Sequence, residues 1–228
     1  MNSESKTPTV VLVHGAWADG SSWASVIRPL QARGFKVVAA PLPLTSLTDD
    51  VRALDRVLAR TSGSVVIAAH AYAGAVISAT SNARVKSLVY VTALTPAEGE
   101  TVADVFYREP PHPMAPTLAP DDAGIIWMPD AAFAAAFAHK ASAEQIALLN
   151  ATQRPIAVRC IQEPSPPPAW RQKPSWYLIA EEDRMIAAAT QRFLADRMKA
   201  NVRAEKLDHT PLVTAPTLVV EVILEAAA

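Results

Sequence analysis

Short apolar runs rich in valine alternate along the chain with amphipathic stretches of 10 to 15 residues. Runs of that length read as strands buried on both faces, and the stretches between them as helices packed over a parallel sheet. The pattern predicts strands at about 9–14, 36–41, 64–69, 85–92, 175–180 and 202–207. It predicts helices at about 21–33, 48–60, 73–82, 188–200 and 215–226. The expected architecture is α/β, a mostly parallel sheet of about six strands flanked by helices.

The alternation lapses between about Pro96 and Pro174, where prolines cluster at Pro110, Pro111, Pro113 and Pro116 and again at Pro164, Pro166, Pro167 and Pro168. Such clusters forbid regular helix and central strand, so they read as hinges of an insertion. Two helical patterns lie between them, at about Asp130 to His139 and Ser142 to Thr152. The expected organisation is a core of residues 1–95 and 175–228 with a helical cap of residues 96–174 over the carboxyl edge of the sheet, where open α/β sheets bind ligands.

At 228 residues, half apolar and with a net charge of -1, the chain has the size of one globular domain and no electrostatic reason to seek nucleic acid or an anionic membrane. The polar start Met1 to Thr7 lacks a signal peptide's apolar core, which points to the cytoplasm. The single cysteine, Cys160, excludes an internal disulfide and reads as a packing residue. His112 and His139 lack companions at metal-ligand spacing, and no glycine-rich phosphate loop occurs, so neither a metal nor a cofactor is expected. The expected partner is a small-molecule substrate or ligand, bound by a monomer or homodimer.

The chemistry begins at Val65 to Val76, which reads as strand, tight turn and helix. A nucleophile elbow, Gly-x-Ser-x-Gly, has this form, with the serine on the turn and small residues two places to either side. Here Ala69 and Ala73 fill the small positions and Ala71 the nucleophile position. His14-Gly15-Ala16-Trp17 ends the first strand, where a first oxyanion donor belongs, and the amide after the nucleophile position is that of Tyr72. Glu181, Glu182 and Asp183 follow the fifth strand, and Asp208-His209-Thr210 follows the sixth. Nucleophile, acid and histidine in that chain order is the order of the α/β-hydrolase triad. Ser78, Ser21 and Ser22 are poorly placed to replace the nucleophile. His14, Trp17 and Trp127 are the candidate substrate-binding side chains, while Phe106, Met128, Phe133 and Phe137 suggest an apolar lid.

These segments resemble a bacterial α/β-hydrolase-fold family of short esterase-like proteins, related to the plant methylesterases and hydroxynitrile lyases. The resemblance is carried by Val11 to Trp23, by Leu42-Pro43-Leu44-Thr45-Ser46-Leu47 with Asp49-Asp50-Val51, by the elbow, by Leu88-Val89-Tyr90-Val91, and by Lys173 to Leu178 running into Glu182-Asp183-Arg184-Met185-Ile186. It implies that Asp183 is the triad acid, His209 the triad histidine, and Ala16 and Tyr72 the oxyanion donors. The family motif is Gly-His-Ser-Tyr-Gly-Gly where this chain has Ala69-His70-Ala71-Tyr72-Ala73-Gly74. Three readings follow. Ala71 is an engineered replacement that inactivates an ordinary esterase, or a natural enzyme works without a covalent step through His209 and Asp183, or a pseudoenzyme keeps the pocket as a module that binds a small ligand or a protein.

Overall fold

The computed structural model describes residues 7–228; the polar start, residues 1–6, lies outside them. Eight strands follow in chain order: β1 (Thr9–Val13), β2 (Val37–Ala40), β3 (Val65–His70), β4 (Val85–Val91), β5 (Ile125–Ile126), β6 (Ile156–Ala157), β7 (Ser175–Ala180) and β8 (Asn201–Glu205). Six form one parallel sheet in the order β2-β1-β3-β4-β7-β8, and β5 and β6 pair antiparallel by themselves. All six predicted strands are therefore present, and the fold is the expected α/β-hydrolase architecture.

Residues within the sheet alternate between two apolar layers. Val10 and Leu12 face one layer with Trp23, Leu30, Val219 and Ile223, while Val11 and Val13 face the other with Leu54, Leu58 and Val76. Every residue of β1 and β3 is buried, which is why their sequences run apolar without a polar face. The helices covering the layers include α1 (Ala24–Ala32), α2 (Leu47–Ala59), α3 (Ala73–Ser78), Ala188–Met198 and Pro216–Ala227. Helix α3 stops at Ser78, four residues before the predicted end, and Ser78 Oγ donates back to the Gly74 carbonyl at 2.7 Å.

Strand order reverses direction between β1 and β3. In open parallel sheets a ligand binds at such a switch point, outside the carboxyl ends of the strands. The loops that leave β1 and β3 are the ones that carry Ala16 and Ala71.

The segment between β4 and β7 holds more than the two predicted helices. It contains Val102–Phe106, Val158–Gln162 and the β5–β6 pair besides Ala143–Ala151. The alanine-rich stretch from Asp130 makes one helical turn and then a π-turn over Phe133–Phe137, closed by the Ala138 amide donating to the Phe133 carbonyl at 2.8 Å. The wider turn buries Phe133, Phe137 and Ala138 together, an arrangement that helix propensity alone does not reveal. No helix of the described residues is long and apolar enough to cross a membrane.

Candidate active site

Among the described residues, four of the five non-glycine residues with positive φ follow the carboxyl ends of adjacent strands: Trp17 (φ 55°) after β1, Leu44 (φ 59°) after β2, Ala71 (φ 50°) after β3 and Thr92 (φ 46°) after β4. An L-residue in the left-handed region costs about 1–2 kcal/mol, and such strain collects where a fold must present groups to a ligand. Ala71 thus sits on the sharp turn expected of an elbow. Its carbonyl accepts from the Gly74 and Leu94 amides, both at 3.0 Å, which ties α3 to the loop after β4.

Packing around that turn explains the glycines that remain. A Cβ on Gly74 would lie 2.5 Å from the Leu94 carbonyl oxygen, and one on Gly15 would lie 2.9 Å from the His70 carbonyl oxygen. Neither neighbour is a movable side-chain tip. Ala69 and Ala73, by contrast, are fully buried without such a constraint, so a methyl group is accommodated at both.

On the other side of the site, the loop after β7 presents Asp183 and the loop after β8 presents His209. His209 Nδ1–H donates to Asp183 Oδ2 at 2.9 Å. The same carboxylate accepts from the Met185 amide at 2.7 Å, the Ile186 amide at 2.9 Å and Gln191 Nε2 at 2.9 Å. Four donors thus converge on its two oxygens. The His209 carbonyl is held as well, by His70 Nε2–H at 2.7 Å and Thr92 Oγ1–H at 3.1 Å. Burial, and next the neighbouring His209 ring, hold His70 well below the usual histidine range, so it serves as a neutral donor. With Nδ1–H donated to Asp183, the lone pair of the neutral ring is on Nε2, which makes no hydrogen bond among the described residues.

Ala71, His209, Ala16 and Tyr72 all border one cavity of about 50 Å³. Its remaining lining is apolar, including Trp17, Leu94, Val102, Phe106, Ile156 and Met185. Among the described residues the backbone N–H groups of Ala16 and Tyr72 have no acceptor in the protein. The residues that border the cavity thus include His209, the two residues with unengaged amides and Ala71, in apolar surroundings.

Of the other side chains expected to meet substrate, Trp17 is at the cavity, its indole N–H bonded to the Ile126 carbonyl at 2.9 Å. His14 is not. Its Nδ1–H donates to the Gly15 carbonyl at 2.9 Å and its Nε2 accepts the Leu42 amide at 3.1 Å, so both nitrogens brace the turn after β1. Burial, first of several causes, lowers its pKa and keeps it neutral. Trp127 is also misplaced by sequence reasoning: it is 53 % exposed and borders an outer groove with Asp121, Gln153 and Arg154. Of the aromatic lid candidates Phe106 lines the cavity. Phe133 is core, and Phe137 packs its ring 5.2 Å from that of His209. Ser78 is spent on Gly74 and on the Tyr90 hydroxyl at 3.0 Å. No group of three metal-ligating side chains is assembled among the described residues.

Sequence reasoning missed the clamp on Asp183 and the grip of His70 and Thr92 on the His209 carbonyl. The Asp183-x-Met185-Ile186 spacing was a usable signal for the first, since an aspartate readily accepts the amides two and three residues on.

Residues 10–222 match the model of the alpha/beta hydrolase family. The chain is similar to the alpha/beta hydrolase nvfD of Aspergillus novofumigatus (strain IBT 16806), 25% identical over 248 residues and covering 96% of each chain. Among solved structures, polyneuridine aldehyde esterase superposes with a TM-score of 0.84 at 17% identity, over 97% of this chain and 100% of that one. A pyrethroid hydrolase from Sphingobium faniae JZ-2 superposes at 0.79 with 22% identity, over 96% and 97%. A methylesterase from Arabidopsis does so at 0.79 with 18% identity, over 96% and 98%. At these identities the structures share the fold. With the family model spanning nearly all of its sequence, the chain belongs to the alpha/beta hydrolase family.

Proposed function

We propose that this protein is an esterase-like enzyme in ancestry that now moves a proton next to a carbonyl group without a covalent intermediate. The substrate is a small apolar ester or ketone, enclosed by the 96–174 segment acting as a cap. The observation that carries this reading is the His209 lone pair on Nε2, held by Asp183 and facing a cavity from which the serine oxygen is missing. His209 Nε2 takes a proton from the carbon beside the carbonyl. The C–H electron pair becomes a carbon–carbon π bond, and the carbonyl π pair moves to oxygen. The Ala16 and Tyr72 amides donate to that oxyanion, and Asp183 stabilises the imidazolium. The proton then returns to carbon, or a leaving group departs from the next carbon along.

Deuterium exchange tests this directly. In D2O the protein should wash deuterium into the carbon beside the carbonyl of short aryl ketones, followed by proton NMR, and His209→Ala should not. Exchange that survives His209→Ala, or no exchange with any ketone of the panel, sinks the reading. A second reading, an esterase disabled at one atom, is favoured by the left-handed turn kept at Ala71. If the chain only binds ligands, titration will show saturable binding that His209→Ala leaves intact, with no exchange.

A further inference from the structure

Behind the oxyanion position lies a carboxyl group that the proton-transfer scheme does not use. Asp50, in the first turn of α2, is fully buried, and among the described residues no lysine or arginine pairs with it. Tyr72 Oη–H donates to its Oδ2 at 2.7 Å and the Leu44 amide donates to its Oδ1 at 2.7 Å. The Cys160 thiol reaches Oδ2 at 3.7 Å. These donors come from three places. Tyr72 carries one of the two unengaged amides, Leu44 is a left-handed residue after β2, and Cys160 belongs to the segment over the cavity. The Leu44 carbonyl in turn accepts the Ala157 amide of β6 at 3.0 Å.

We infer that Asp50 is a positioning residue for the oxyanion site: by gripping the Tyr72 hydroxyl it fixes the Tyr72 backbone N–H toward the substrate oxygen, and it ties that amide to the segment above. The inference rests on the Tyr72 amide acting as proposed above. Its physical basis is the cost of the arrangement. A buried carboxyl without a cation is expensive. Burial pushes Asp50 up to about 6, while the Tyr72 and Leu44 hydrogen bonds pull against that rise. Tyr72 itself sits one residue past the left-handed Ala71 as the N-cap of α3, its carbonyl accepting the Ala75 amide at 3.0 Å. The planar peptide that carries its N–H is held at the Ala71 carbonyl by the Gly74 and Leu94 amides, and the anchored ring holds the residue on the other side of its Cα.

The test compares two nitroarenes that differ by one charged oxygen. p-Nitrophenolate carries an oxyanion and nitrobenzene does not, and binding of each is followed by titration calorimetry on the full-length protein. The unsubstituted protein should prefer the phenolate. Tyr72→Phe, which keeps the amide and loses the hydroxyl, should lower that preference, read as the ratio of the two affinities, about tenfold, the scale of a hydrogen bond to a charged group. Asp50→Asn still accepts the Leu44 amide and can offer Nδ2–H to the Tyr72 oxygen, so its preference should fall between. A purely structural role would weaken both ligands together and leave their ratio alone. If the ratio is unmoved in both variants, Asp50 does not position the amide, although the oxyanion site stands. If the unsubstituted protein shows no preference for the phenolate, the oxyanion site itself fails and this inference with it.

Discussion

At the end of β3 the chain keeps the shape of a nucleophile turn and lacks a reactive group, whereas at the ends of β7 and β8 it keeps both shape and reactive groups. The two halves are held by different forces. The turn at Ala71 is fixed largely by backbone packing, with Gly74 against the Leu94 backbone and Gly15 against the His70 carbonyl; at position 71 itself only the Cβ, 3.1 Å from where a Cβ on Gly15 would stand, takes part. Asp183 is fixed by hydrogen bonds that only a carboxylate can accept. Removing it would strand buried donors at about 1–3 kcal/mol each. Asp183 therefore has a structural reason to remain whatever the chemistry. Among the described residues His209 Nε2 has no partner, so it is the atom that speaks for function.

The strongest way to break this contrast is to give the turn its oxygen. Ala71→Ser should raise hydrolysis of short aryl esters by roughly a thousand-fold or more, since the nucleophile is worth that much once base and oxyanion donors are in place. Initial rates of aryl-phenolate release measure it. A serine that leaves the rate at background would show that the turn is no longer aligned with His209.

In that Ala71→Ser background, Asp183→Asn should cut turnover on the order of 10³–10⁴-fold with little change in KM, because an amide favours the wrong tautomer of His209. Parallel loss in KM would mean that the loop had collapsed.

Next in size come two tests of how each region is held. Gly74→Ala should destabilise the fold by about 2–3 kcal/mol in urea unfolding, because the added methyl meets backbone. A stability within error of the unsubstituted protein would remove packing as the cause of the turn. Asp50 offers the opposite kind of dependence. Its carboxyl is raised from 3.8 to about 6 on folding, so the folded chain binds this proton more tightly than the unfolded one. Its contribution is fully present below about pH 4 and is lost as pH rises through about 6, by about 3 kcal/mol at most. Asp50→Asn should accordingly gain stability over the unsubstituted protein across that window. A gap that stays constant with pH would remove Asp50 as the titrating group.

Smallest is Ala71→Gly. Relief of left-handed strain outweighs the entropy of glycine, so thermal unfolding should show a gain of about 0.5–1 kcal/mol. A loss would mean that the Cβ packs in the cavity more tightly than its strain costs.

The core of the fold is legible in the sequence because parallel strands must be apolar on both faces. Runs such as Val10 to Val13 or Val65 to Ile67 offer no polar side to solvent, and no amphipathic helix would carry them. The acid and histidine are legible because each lies just past a strand whose carboxyl end faces the site. Roles that depend on direction are not legible. Nothing in the sequence tells whether the His14 ring turns toward ligand or toward Leu42, nor that Trp127 faces outward while Trp17, in the turn after β1, faces in. Asp50 reads as an ordinary first-turn acid until the partners of its carboxylate are seen.

The left-handed turn at Ala71 also has a genetic consequence. Alanine and serine codons of the GCN and TCN sets differ by a single base, and the backbone that a serine would need is already in place. One point mutation therefore separates this chain from a nucleophile on a prepared turn. A trace of revertant or mistranslated protein would carry ester-cleaving activity out of proportion to its abundance, so weak hydrolysis in any preparation needs active-site titration before it is credited to the alanine form.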